Sequence, residues 1–291
     1  MSKSVSFIGY GKLGSVLSSF LTQRCYLMWI MDSNEEAGNK AESTFSGVKV
    51  YSAINEIIDV PDYIFLTVED SVIEKIAIKL AEHLNKKLKG CLVIHCSGAL
   101  PVSLLNSCKD NGADIAVIHP YQTFYYPSED LFDSIGWSIR SDNRSRELEE
   151  LIISIGGVPI VLPDDDKITS LYHCSAVVSS NFLNTLLSTS EEIAQLSGIP
   201  AEKFIPQIVK TTIENNLRTD SKEFPITGPY ARADVRTIIN HIKALKPYPH
   251  LLKSYCYFAL ATIEKLKHEK LADERILNEM EKLLKKNLDE K

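Results

Sequence analysis

The feature that most limits the fold of this chain is a change of rhythm near Pro163. Before it, short apolar or β-branched runs alternate with helical stretches; after Pro163-Asp164-Asp165-Asp166 every long segment has helical spacing. Such alternation belongs to βαβ units on a parallel sheet, whose strands are covered on both faces and therefore read as continuous apolar runs. Eight runs qualify: Val5 to Gly9, Tyr26 to Met31, Val48 to Tyr51, Tyr63 to Val68, Cys91 to His95, Ile115 to His119, Trp137 to Arg140 and Pro159 to Leu162. The spacing predicts helices over Leu13 to Arg24, Val72 to Leu88, Val102 to Cys108 and Ser145 to Ile155. The expected organisation is an α/β domain over 1–163 followed by an all-helical domain over 164–291, and 291 residues suffice for two cores.

In the helical half the first helix runs from about Lys167 to Leu196. It is apolar or small nearly all the way round, the pattern of a helix covered on most sides. Gly198 closes it and Pro200 opens the next. Leu271, Ile276, Leu277, Met280, Leu283 and Leu284 form one apolar stripe on a highly charged C-terminal helix, which is expected to lie on the body of the protein.

Gly9-Tyr10-Gly11-Lys12-Leu13-Gly14 is a G-x-G-x-x-G pattern, weak alone and informative here because it leaves an apolar strand and opens an amphipathic helix. Gly9 permits a tight turn, Gly11 lets the backbone approach a pyrophosphate, Gly14 lets helix pack on strand, and the helix N-terminus offers free N–H groups. The next strand ends in Asp32, where an acid can accept hydrogen bonds from the adenosine ribose. Ser33 and Asn34 supply no cation for a 2′-phosphate, which tilts an NAD(P) cofactor toward NAD. The expected first domain is thus a Rossmann-type, doubly wound, mostly parallel sheet.

Ligands of such sheets sit outside the carboxyl ends of the strands. Thr67-Val68-Glu69-Asp70, His95-Cys96-Ser97-Gly98 and His119-Pro120-Tyr121-Gln122-Thr123-Phe124 are the polar segments at those ends. Thr67, Val68, Ser97 and Gly98 are read with the glycine loop as cofactor-binding, and His119 as a catalytic candidate; singly, each is equally well a turn or loop residue. His173 and Asn181, eight residues apart, lie roughly 80° apart around a helix axis. They either face one cleft or are satisfied core residues. Arg232, in Thr227-Gly228-Pro229-Tyr230-Ala231-Arg232-Ala233-Asp234, is a cation near a helix N-terminus, set against the dipole. Such a cation suits a substrate carboxylate or Asp234. No His, Cys or carboxylate cluster has metal-ligand spacing.

The net charge of −6, with Lys and Arg scattered, argues against nucleic acid or anionic lipid as a partner. The longest apolar run, Cys25 to Met31, falls far short of the roughly 20 residues that span a bilayer. The chain opens without a signal-peptide pattern and its six cysteines form no C-x-x-C pair, so a cytoplasmic protein is expected.

Together, Gly9 to Gly14, the loops at His95 and His119, Tyr172-His173 with Ser180-Asn181, and Thr227-Gly228-Pro229 with Arg232 and Asp234 resemble one group. These are the two-domain Rossmann-like oxidoreductases related to β-hydroxyacid dehydrogenases, pyrroline-5-carboxylate reductases and deazaflavin-dependent NADP reductases, with a 6-phosphogluconate-dehydrogenase-like helical domain. The resemblance spans nearly the whole chain. It implies hydride transfer between NAD(P) and a small, anionic oxo, hydroxy or imine substrate in an interdomain cleft, with His173, Asn181, Arg232 and His119 as the catalytic set, in a homodimer formed through the helical domain. One residue departs from the pattern: β-hydroxyacid dehydrogenases carry a catalytic Lys one turn before an Asn, and Val177 stands there. A non-catalytic NAD(P)(H)-binding redox sensor is therefore the alternative reading.

Overall fold

A computed structural model describes residues 3–125, 131–218 and 224–289. Its residues cluster into two units, Met1–Asn181 and Phe182–Lys291. The division falls inside the long helical stretch rather than at Pro163, where the strand rhythm ends.

The first unit holds an eight-stranded sheet in the order β3-β2-β1-β4-β5-β6-β7-β8. The strands are β1 (Ser4–Ile8), β2 (Tyr26–Met31), β3 (Lys49–Tyr51), β4 (Tyr63–Leu66), β5 (Leu92–His95), β6 (Asp114–Pro120), β7 (Gly136–Ser141) and β8 (Val158–Val161). All neighbours are parallel except β6 and β7, which run antiparallel with His119 opposite Ser138. This is the expected α/β, Rossmann-type architecture, and its strand order reverses between β1 and β4. Helices α1 (Lys12–Leu21) and α5 (Ser145–Ser154) contribute Val16, Leu17, Leu148 and Ile152 to the apolar layer on one face. Helix α3 (Ile73–Leu84), with Leu105 and Cys108, covers the other. Between them come α2 (Glu35–Thr44), capped by the Asn34 side chain accepting from Ala37 N at 3.1 Å, and the short α4 (Asn106–Asp110). The sequence pattern does not show α2, because only Ala41 of its ten residues is buried.

The predicted Lys167 to Leu196 helix is α6 (Asp166–Val177), a π turn (Val178–Phe182) and α7 (Leu183–Leu196). Its expected burial is corrected: of these residues only Thr169 is buried, while Leu171, Val178, Phe182 and Leu186 are exposed. An apolar circumference records what a helix can be covered by, and within one chain that cover is missing.

The second unit adds α8 (Ala201–Leu217), the single turn α9 (Gly228–Ala231), α10 (Val235–Leu245), α11 (Pro249–Glu269) and α12 (Glu274–Asp289). Gly198, at φ +75°, and Pro200 separate α7 from α8 as expected. Helices α10, α11 and α12 pack around Ile238, Ile242, Ile263, Leu277, Met280 and Leu284. The charged C-terminal helix thus does bury its stripe. Leu271 precedes α12 and stays exposed.

Candidate cofactor and active site

The glycine loop sits where the strand order reverses. Gly9 N–H donates to Met31 O at 2.8 Å, and Thr67 answers from β4 with its N–H on Ile8 O (2.9 Å) and its hydroxyl on Gly9 O (2.6 Å). Gly9 adopts φ +99°, and a Cβ there would stand 2.7 Å from Thr67 O. At Gly14 a Cβ would come within 2.2 Å of Gly9 O, so helix and strand can approach this closely only through a hydrogen. At Gly11, by contrast, a Cβ would meet nothing within 4 Å. The loop therefore leaves open space at Gly11, in front of α1, whose first turn has no capping side chain and no acid. Those are the requirements of a pyrophosphate cradle, and the residues present fit a dinucleotide. Lys12 Nζ lies 4.7 Å from the Tyr125 ring centre at the same edge, whereas Tyr10 and Leu13 turn into the apolar layer.

Asp32 follows β2, and its carboxylate is fixed by the chain itself, accepting from Tyr10 N at 2.6 Å and Asn34 N at 2.8 Å. Each oxygen keeps further lone-pair capacity for a ribose hydroxyl. Past β2 and β3 opens a cavity of about 540 Å³ lined by Met31, Ser33, Ser52, Ile54, Ile76 and Lys79. Its apolar walls and polar rim suit an adenosine. Lys79, which also lines it, is a cation that the residues next to Asp32 do not reveal, since it comes from α3.

At the ends of β5, β6 and β7 lies a cluster of polar side chains. Ser97 donates its hydroxyl to Asp70 Oδ2 (2.8 Å), and its N–H donates to His95 Nδ1 (3.2 Å). His95 Nε2 faces Pro101 O at 3.1 Å, so the buried ring carries its proton on Nε2. Burial, with the Arg140 charge, moves this histidine down to about 4. Arg140, on β7 and 1% exposed, donates to Thr169 Oγ1 (3.0 Å) and Ser97 O (3.2 Å). Burial lowers its pKa, yet a guanidinium stays charged. Sequence reasoning passed over Arg140; the signal was a lone cation inside the apolar run from Trp137.

His119, at the end of β6, presses its ring against Gly98, where a Cβ would lie 2.8 Å from ring atoms Cε1 and Nε2. Its Nδ1 lies 2.9 Å from the Tyr172 hydroxyl of α6, and its ring is 6.0 Å, centre to centre, from that of His173. Burial, then His173 and Arg140, hold His119 at about 4, so it is neutral at pH 7. Tyr121 packs against Tyr172 and donates to Ser175 Oγ at 2.9 Å. The predicted residues His119, Ser97, Gly98 and His173 thus gather with Tyr172 and Arg140. Asn181 closes the first unit inside the π turn, where more residues per turn reduce its rotation away from His173; Ser180 donates to its Oδ1 at 2.9 Å. Val177 ends α6.

Arg232 belongs to the second unit. It follows α9, and Ala233, at φ +52°, turns the chain so that Asp234 caps α10 by accepting from Thr237 N–H and Oγ1–H at 3.1 and 2.6 Å. Those bonds, with the Arg232 charge, keep the Asp234 carboxyl below its ordinary range. All six cysteines are free thiols, five of them buried. Among the described residues no group of three His, Cys, Asp or Glu is placed to hold a metal, and no helix is long and apolar enough to cross a membrane.

A family model described as a domain of unknown function, DUF2520, matches residues 137–262. No curated protein matches the sequence. Among solved structures, BF3122 of Bacteroides fragilis, provisionally named an NADP oxidoreductase, is 20% identical with a TM-score of 0.68, over 86% of this chain and 93% of that one. Protein TM1727 of Thermotoga maritima is 22% identical with a TM-score of 0.62, over 98% of both chains. A reductive aminase of Aspergillus terreus, solved with NADPH and ethyl-5-oxohexanoate, is 12% identical with a TM-score of 0.62, over 100% and 95%. The chain therefore has the two-part fold, Rossmann-like sheet followed by helices, of these proteins.

Proposed function

We propose that the protein is an NAD(P)-dependent oxidoreductase acting on a small, anionic oxo, hydroxy or imine compound. The observation that carries this reading is the glycine turn, Gly9 to Gly14, laid against Thr67 at the reversal of strand order with open space in front of α1. Two of the three proteins of like fold are named for the same class of reaction, and one of these was solved with NADPH. When bound, the dinucleotide supplies a hydride. The chain supplies the rest: Gly9, Tyr10, Gly11, Lys12, Leu13 and Gly14 form the phosphate turn, Asp32 meets the ribose, and Thr67, Val68, Ser97 and Gly98 line the nicotinamide end. His119, His173 and Asn181 orient the reacting group, and Arg232 holds a substrate carboxylate. Residues 1–163 serve the cofactor and 164–291 the substrate and the dimer contact.

Of the two cofactors, NAD(H) is preferred, because a 2′-phosphate would meet the fixed charge of Asp32. Lys79 is the route by which NADP(H) is accommodated. Fluorescence titration with both reduced cofactors, then a screen of oxo-acids, hydroxy-acids and imines for loss of nicotinamide absorbance, tests the reading. A protein that binds neither cofactor ends it.

The unpaired thiols suit a reducing cytoplasm. Exposed Phe182, Leu183 and Leu186 of the long helical stretch, with Phe204 and Ile208 of α8, support a homodimer. Val177, in place of a catalytic Lys, favours the second reading, an NAD(P)(H)-binding redox sensor. That reading predicts tight cofactor binding and no turnover in the same screen.

A further inference from the structure

Reduction of a C=O or C=N bond needs a hydride at carbon and a proton at the heteroatom. The hydride is the part that a reduced nicotinamide dinucleotide supplies; the proton must come through this chain. Resting on the function proposed above, we propose that Tyr172 is the proton donor and that His119 is the positioning residue that recharges it.

Tyr172 Oη lies 2.9 Å from His119 Nδ1 and 3.3 Å from the His119 carbonyl. A hydroxyl has one proton to give. The carbonyl can only accept, so the consistent arrangement has the hydroxyl donating to the carbonyl at 3.3 Å while Nδ1–H donates to Oη at 2.9 Å. The ring nitrogen thus holds the oxygen, and the phenolic proton sits in a long, weak bond that a better acceptor can replace. Burial pushes the Tyr172 hydroxyl upward, so it remains protonated at neutral pH. The groups facing the pair are His173, Tyr121, Ser138 and the buried Arg140. Arg140 contributes a positive field that favours negative charge on Tyr172.

Hydride adds to the substrate carbon, the π pair moves to the heteroatom, and the heteroatom takes the Tyr172 proton. The phenolate oxygen takes the Nδ1 proton of His119 as Nε2 takes one from solvent, which leaves a neutral phenol and a neutral ring protonated on Nε2; proton exchange with solvent, loss at Nε2 and gain at Nδ1, then restores the starting tautomer. The net proton comes from solvent. The His119 ring is neutral with one nitrogen free, as this relay requires, and its plane is fixed by Gly98. His173, one residue along α6, makes no such bond among the described residues and is left to orient substrate.

The test uses the full chain. Nitrogen NMR of histidine-labelled protein, with His119 assigned by its loss in His119→Asn, is expected to show a neutral ring protonated on Nδ1, with a resonance that moves in Tyr172→Phe while His95 stays put. An unprotonated Nδ1, or one indifferent to Tyr172→Phe, overturns the proposal without any turnover being measured. With pyruvate and 1-pyrroline-2-carboxylate as probes of NADH oxidation, Tyr172→Phe is expected to lower kcat about 10²-fold with NADH affinity unchanged. His119→Asn, which keeps a donor near the Nδ1 position but cannot relay, is expected to lower kcat and spare KM. The double variant is expected to be no slower than Tyr172→Phe alone. Wild-type rates in Tyr172→Phe overturn the assignment. A wild type that binds NADH but oxidises it with neither probe counts against the proposed function, and the NMR result alone then decides the pair.

Discussion

The two units differ in what they bury. Among the described residues, every fully buried polar or charged side chain, Ser6, Ser18, His95, Ser97, Ser138, Arg140 and Thr169, belongs to the first unit. The second buries only apolar or small side chains, and both units leave large apolar ones in contact with water, Ile160 and Leu171 in the first, Phe204 and Ile208 in the second. Burying a polar group is costly unless it is bonded, and it recurs where geometry must be held for chemistry. Exposing a large apolar face is costly unless something covers it. The first unit therefore holds polar geometry inside its core, and the second does not.

The sharpest way to break that comparison is at the glycine cradle. Gly14→Ala places a methyl 2.2 Å from Gly9 O and 2.7 Å from Thr67 Oγ1, both held by their own hydrogen bonds. A loss of about 3 kcal/mol is expected in urea unfolding, the upper end for an overpacked site, together with loss of NADH binding. Gly11→Ala, with nothing within 4 Å, is expected to keep the stability and weaken only the cofactor. Equal unfolding of both variants would mean that the turn is merely structural.

Removing the buried cation is the next largest change. Arg140→Met leaves the Thr169 hydroxyl and the Ser97 carbonyl without the donors they now have, a cost of about 2 kcal/mol. Arg140→Lys is expected to recover only part of it, since one ammonium lacks the fork that reaches both acceptors. A fully stable Arg140→Met would remove the claim that polar burial organises this unit.

Acid titrates the same region. His95 and His119 are both held at about 4 instead of their ordinary 6.5, so in the folded state they are neutral where the unfolded chain is protonated. Their contribution to stability is complete above 6.5 and is lost as pH falls from there toward 4. Denaturation midpoints should drop over that window, and drop less in His119→Asn. A flat profile across it would show that neither ring is held neutral.

Much of the first unit was legible because its physics is local. All eight strands follow from apolar runs, since strands covered on both faces admit few polar residues, and the glycine turn follows from its place between β1 and α1. What escaped was either polar or distant. Helix α2 has one buried residue and hence no apolar period, although Asn34 and the acids Glu35 and Glu36 mark its start. The contact between His119 and Tyr172 joins residues 53 apart and exists only once β6 and α6 are placed. Arg140 was visible in the string as a cation in a strand, but its donors' targets were not. The long helix failed differently: its composition gives an apolar circumference, but only Thr169 of it is buried.

That last point yields the smallest effect on stability. Leu186 is 45% exposed and Ile208 67%, so replacing either with a charge removes no cover from the unit's own core, which lies around Ile242, Ile263 and Met280. Leu186→Glu and Ile208→Lys should each change the unfolding free energy of a monomer by less than about 0.5 kcal/mol, as at other open surface positions. Their effect on association is expected to be much larger, because a charge at a dry contact must be desolvated without a partner. Sedimentation at micromolar concentration should give twice the chain mass for wild type and the single mass for either variant. If wild type is already a monomer across that range, the homodimer proposal fails.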